Sequence, residues 1–181
     1  MNLAENDLLL KFGKAIALLL QGLCALVAAG FVLFVLVVIL ITQVMLTEAL
    51  TPDDIPMTIA ASPLTYVSIL LVIAANLTVM FFFFGKMRAL IESVGMGDPF
   101  IPENAERLNA MAWLLLGAKV LAEIVGWLRL YHASLMDGGG AVTTEFNLYE
   151  LHSFLIVLVL FILARVFKHG AAMREDLEGT V

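Results

Sequence analysis

Four apolar runs, each about as long as a membrane span, limit this chain to one kind of fold. They lie at about 15–44, 59–84, 110–130 and 151–167, and only the third carries charge near its middle. A helix needs about 20 mainly apolar residues to cross the hydrocarbon of a bilayer. The expected fold is therefore all-α: an integral membrane up-and-down bundle of four transmembrane helices, with the whole chain 1–181 as a single membrane domain. Charged residues make up 14% of the chain, against about 25% in a soluble domain, and the mean hydropathy is +1.01. These values exclude an ordinary soluble domain. The first run is too long, and too poor in cleavage-site features, for a secretory signal peptide, so it reads as a retained span. The lone Cys24 lies inside it, permits no intrachain disulfide and reads as a small packing residue.

Lys and Arg are distributed one-sidedly. Lys11 and Lys14 precede the first span, Lys86, Arg88 and Arg107 follow the second, and Arg165, Lys168 and Arg174 end the fourth. The connections at 47–58 and 131–149 hold none, although Arg129 lies at the membrane edge of the latter. The positive-inside rule then places both termini in the cytoplasm. It makes 85–109 a cytoplasmic loop and 168–181 a cytoplasmic tail.

Lys119 and Glu123 stand in the third span, four residues apart and so one helical turn apart on one face. A charge at that depth costs about 2.5–3.5 kcal/mol even on lenient scales. The pair is expected on the inner face of the bundle, shielded by the other spans. Two roles stay open: a neutralised pair that sets helix register, or the ion path of a small transporter or channel subunit. Toward the middle of the other spans the polar groups are few, with Gln21, Ser68, Asn76 and Thr78 the ones that could line a route, which favours the structural role. Gln21 reads as an interhelical hydrogen-bonding residue. Asn76-Leu77-Thr78 matches a glycosylation sequon but lies at membrane depth, where no acceptor belongs.

His132 ends the third span and His152 begins the fourth, so antiparallel neighbours would carry both to the exterior face near Glu145 and Glu150. They are weak candidates for a metal or haem pair, and the reading as interfacial polar residues is favoured over it. No CxxCH, HExxH, Walker or dinucleotide fingerprint occurs. No catalytic residue, cofactor or enzymatic activity is expected.

The polar character of the chain concentrates on the expected cytoplasmic side. Met87 to Val94 can continue the second helix, Gly95-Met96-Gly97-Asp98-Pro99 is a strong breaker, and Pro102 with Glu103 and Glu106 signals a new helix that runs into the third span. The tail ends in Leu177 and Val181 among acids, which suits either a docking peptide or a solvated end of the last helix. Candidate partner-binding residues are Asp98, Pro99, Phe100, Pro102, Glu103, Asn104 and Arg107 in the loop. In the tail they are Arg174, Glu175, Asp176, Leu177, Glu178 and Val181.

Two stretches, GDPFIPENAERL at 97–108 and FKHGAAMREDLEGTV at 167–181, resemble a family of small bacterial four-span membrane proteins of unknown function. Members are often encoded beside a very small helix-turn-helix regulator of the Cro/CI type. The resemblance brings no catalytic residues with it. It implies a location in the bacterial inner membrane and a non-enzymatic protein that binds, and sequesters or modulates, such a regulator through loop and tail. Neither segment is basic enough to bind nucleic acid directly. The expected partners are the lipid bilayer, the regulator and, as a homo-oligomer, a second copy of the chain.

Overall fold

A computed structural model describes residues 8–48, 57–136 and 149–179. They form four helices: α1 (Leu8–Glu48), α2 (Met57–Gly95), α3 (Pro102–Met136) and α4 (Tyr149–Glu178). No strand occurs among the described residues. Each helix contains a stretch long and apolar enough to cross a membrane, within Leu10–Ile41, Val67–Gly95, Pro102–Tyr131 and His152–Leu177. Hydrocarbon offers no partner to backbone N–H and C=O groups, so a helix, which satisfies them internally, is the form such runs take. The protein is thus an all-α, multi-pass membrane protein with an up-and-down order of four helices.

The helices are longer than a bilayer requires. The 41 residues of α1 extend about 60 Å at 1.5 Å per residue, twice the ~30 Å hydrocarbon thickness. The connection between the second and third apolar runs is built largely from such excess helix. α2 continues to Gly95 and α3 starts at Pro102, the residue that the first-turn signals select. The tail after Phe167 is helical as well, since α4 runs to Glu178. The connections expected at 47–58 and 131–149 fall largely outside the described residues, as does Val181.

Two compact units divide the chain. The first comprises Met1–Cys24, Val79–Lys119 and Phe146–Val181. Within it α1 and α2 run antiparallel, with Leu10 beside Gly95, Gly13 beside Ile91, and Gln21 over Gly85. The Lys14 ammonium bonds the Glu92 carboxylate at 2.8 Å in the same register. Gln21, expected between helices, brings its amide to 3.0 Å from where a Cβ on Gly85 would stand. The buried interior is mainly alanine, with Ala17, Ala105, Ala112, Ala118, Ala164 and Ala171 joined by Leu108, Met111 and Val157. Small side chains let helix backbones approach closely, which is how helices gain contact where lipid competes for every larger apolar group. Trp113 of α3 meets Phe161 of α4 edge to face at 5.4 Å.

The second unit comprises Ala25–Thr78 and Val120–Glu145. Val35 and Ala74 are its buried residues among those described. Thr78 Oγ1 donates to the Ala74 carbonyl at 2.9 Å, the backward bond by which a threonine satisfies itself inside a helix. The buried Oδ1 of Asn76 has no hydrogen-bond partner among the described residues.

Candidate functional site

The segment between α2 and α3 is built by two local rules and one buried side chain. Gly97 takes φ +85°, a conformation open to glycine and costly for residues with a Cβ. Its N–H donates to the Val94 carbonyl at 3.0 Å, and the Asp98 N–H reaches back to the Ser93 carbonyl at 3.3 Å. That paired pattern is a Schellman closure, which satisfies the last carbonyls of α2 and turns the chain sharply. Four residues after Asp98, Pro102 opens α3. Its ring presets helical φ, and its missing N–H removes one donor that a first turn leaves unpaired. Glu103 places a carboxylate in that first turn, where the helix dipole favours it.

Asn104 then ties the segment together from inside. Its side chain is fully buried. Nδ2 donates to the Pro99 carbonyl at 2.9 Å, and Oδ1 accepts from Arg107 Nη1 at 2.7 Å. The Ser93 hydroxyl lies 2.8 Å from both Asn104 Oδ1 and the Leu90 carbonyl. Arg107 also donates to the Ala89 carbonyl at 3.2 Å. One asparagine therefore links the end of α2, the connection and the start of α3. Among the residues expected to face a partner, Asn104 is corrected to an internal role: a side chain with no exposed surface cannot touch a second protein. Arg107 is half-buried and turned to the same network.

The connection so shaped lies against α4. Arg174 of α4 forms an ion pair with Asp98, both side chains remaining nearly half exposed. The Phe100 ring packs on Phe167 with centroids 5.3 Å apart and planes tilted by 40°. It also covers Gly170 so closely that a Cβ there would stand 2.7 Å from a Phe100 ring carbon. The two stretches that stand out in sequence thus form one surface. Pro102 and Glu103 are exposed beside it, as are Glu175, Asp176 and Leu177 further along α4. Ser93, Phe167 and Gly170 belong to this junction and were absent from the sequence-based candidates. The one sequence signal for Gly170 was a glycine inside a run otherwise fit for helix.

Around Phe100 the junction leaves an open groove of about 520 Å³, lined by Phe100, Arg165, Val166, His169, Gly170 and Met173. The other candidates lie elsewhere. Lys119 is half-buried and Glu123 exposed; both take part in further interactions of the structure, and the unbroken α3 keeps them one turn apart. His152 is exposed, while the side chain of His132 and all of Glu145 lie outside the described residues. Among the described residues no group of three or more His, Cys, Asp or Glu is placed to hold a metal ion.

The model of a family described as "Protein of unknown function (DUF2975)" matches residues 19–181. Neither a curated protein nor a solved structure gives a significant match to the chain.

Proposed function

The chain belongs to the DUF2975 family, and from that premise we propose that it is a non-enzymatic protein of the bacterial inner membrane that holds a small helix-turn-helix transcription regulator. Both termini then lie in the cytoplasm, as the one-sided placement of Lys and Arg favours. One observation carries the reading. Asp98 and Phe100 of the connection meet Arg174 and Gly170 of the last helix, so loop and tail offer one shaped surface instead of two loose segments. Beyond the junction, exposed Leu177 stands beside exposed Glu175 and Asp176, an apolar anchor next to negative charge. A DNA-binding protein must carry a basic surface, and carboxylates here compete for it with DNA phosphates. A regulator held at the membrane cannot occupy its operators.

The test is a pull-down in mild detergent from the native host, comparing the full chain with one lacking residues 175–181. The shortened chain keeps Arg174 and so keeps the junction. A small helix-turn-helix protein retained by the full chain and lost from the shortened one is the expected result. Absence of any such protein from both intact preparations overturns the reading. Attention then passes to solute or proton flux in liposomes, compared between wild type and Glu123→Gln.

A further inference from the structure

After the fourth apolar run the sequence turns polar, yet α4 keeps one apolar line along its surface. Val166, Met173 and Leu177 stand seven and four residues apart, a spacing that puts them on one helical face. Each is more than half exposed. Val166 and Met173 line the groove beside Phe100, and every other lining residue except Phe100 belongs to α4 as well. Leu177 continues their line one turn beyond Met173. At 1.5 Å per residue the stretch from Val166 to Leu177 rises about 16 Å, roughly three helical turns. The groove is almost wholly apolar although Arg165 and His169 belong to it. A polar group or an anion entering it would give up water without hydrogen bonds in return, so an apolar side chain is what it suits. Methionine and phenylalanine walls adapt readily to such a guest. The outer end differs: Glu175 and Asp176, both exposed, stand beside Leu177.

We propose that the groove and the line leading from it receive one amphipathic helix of the regulator. Its apolar side chains anchor between Phe100 and Met173 and on Leu177, and its Lys or Arg residues meet Glu175 and Asp176. This docking mode rests on the regulator reading and gives that partner's contact a chemistry: apolar anchors at helical spacing with basic residues among them. Charge selects this occupant over two others. Two copies of the chain inserted the same way in one membrane would bring Glu175 and Asp176 against their own counterparts across this face, like charge against like. An anionic bilayer surface is repelled by the same acids. A basic helix is attracted by them, and its apolar face fills what they leave uncovered.

The experiment compares full-length wild type, Met173→Glu and Ala172→Glu in pull-downs from the native host in mild detergent. In parallel, the photocrosslinker benzoylphenylalanine is placed at position 173 or 172, and the peptides it captures are identified by mass spectrometry. Ala172 is exposed on α4 but lies off the apolar line and outside the groove. Both substitutions add one acid at an exposed position, so neither disturbs the buried Ala164 and Ala171 of α4. Wild type is expected to retain a small helix-turn-helix protein. Met173→Glu should retain it at least about tenfold less, as loss of a central anchor does, and Ala172→Glu should match wild type. Position 173, and not 172, should crosslink to a regulator peptide with apolar residues at helical spacing and Lys or Arg among them. Unchanged retention by Met173→Glu, or an equal loss in Ala172→Glu, overturns the docking mode and leaves the regulator reading standing. A crosslink from position 173 to a second copy of the chain, or to lipid alone, does the same. Wild type that retains no helix-turn-helix protein overturns both.

Discussion

The two units share three helices and are held by different means. In the first, an asparagine with no exposed surface joins three segments, an ion pair links α1 to α2, and an aromatic ring seats on a glycine of α4. In the second, Thr78 and Ser134 each bond a carbonyl of their own helix, the buried Asn76 oxygen has no partner among the described residues, and Val38, Ser68 and Glu123 take part in further interactions. Every buried residue among those described, except Val35 and Ala74, belongs to the first unit. The contrast follows from the solvent. Lipid tails are as apolar as leucine, so exchanging lipid contact for leucine contact gains little, and specific association there needs small residues or polar groups. Where helices emerge from hydrocarbon, desolvation and hydrogen bonding can again select one arrangement.

The sharpest way to break this comparison is to replace one asparagine in each unit. Asn104→Leu takes the donor from the Pro99 carbonyl and leaves Ser93 and Arg107 with their bonds to the Leu90 and Ala89 carbonyls. An orphaned buried group costs about 1–3 kcal/mol, so a loss of about 2 kcal/mol is expected in denaturant unfolding of the detergent-solubilised protein. Asn76→Leu, which removes an oxygen that already lacks a partner, should stay within about 1 kcal/mol of wild type. Equal losses from the two would show that the units do not differ as described.

Glycines sharpen it further. Gly170→Val forces the Phe100 ring away, because an added Cβ would stand 2.7 Å from it. Overpacking of this kind costs about 1–3 kcal/mol. Gly30→Ala in the second unit meets nothing within 4 Å and should gain roughly 0.5 kcal/mol from the stiffer helix. Thermal unfolding of both variants gives the signs, which are expected to be opposite. The smallest effect belongs to the Arg174–Asp98 pair. Both side chains are more than two-fifths exposed, so Arg174→Gln should cost less than about 1 kcal/mol. That difference should shrink further in roughly 1 M salt, where the Debye length falls to about 3 Å. A large loss insensitive to salt would mean that the pair is shielded from solvent.

Local signals made much of the fold legible in advance. Four apolar runs became four helices; Pro102 opened α3 at the residue its chemistry selects, and the glycines at 95 and 97 ended α2. These outcomes depend on neighbours within a few residues: backbone hydrogen bonding in hydrocarbon, a fixed φ, a missing Cβ. The candidate site was legible as two stretches but not as one place. Asn104 looked like any polar residue in a first helical turn, where most such side chains face water, and nothing nearby shows that Pro99, Ser93 and Arg107 would enclose it.

The sequence by itself determined that the chain crosses the membrane in helices, where α2 ends and α3 begins, and which two segments carry its polar character. Only the tertiary structure decided that Asp98 meets Arg174 across 76 residues, that Phe100 seats on Gly170, and that Asn104 turns inward. Periodicity and capping are written within a turn or two of each residue. Which surfaces meet depends on shape and charge held by residues far apart in the chain, and this becomes fixed only when the helices pack.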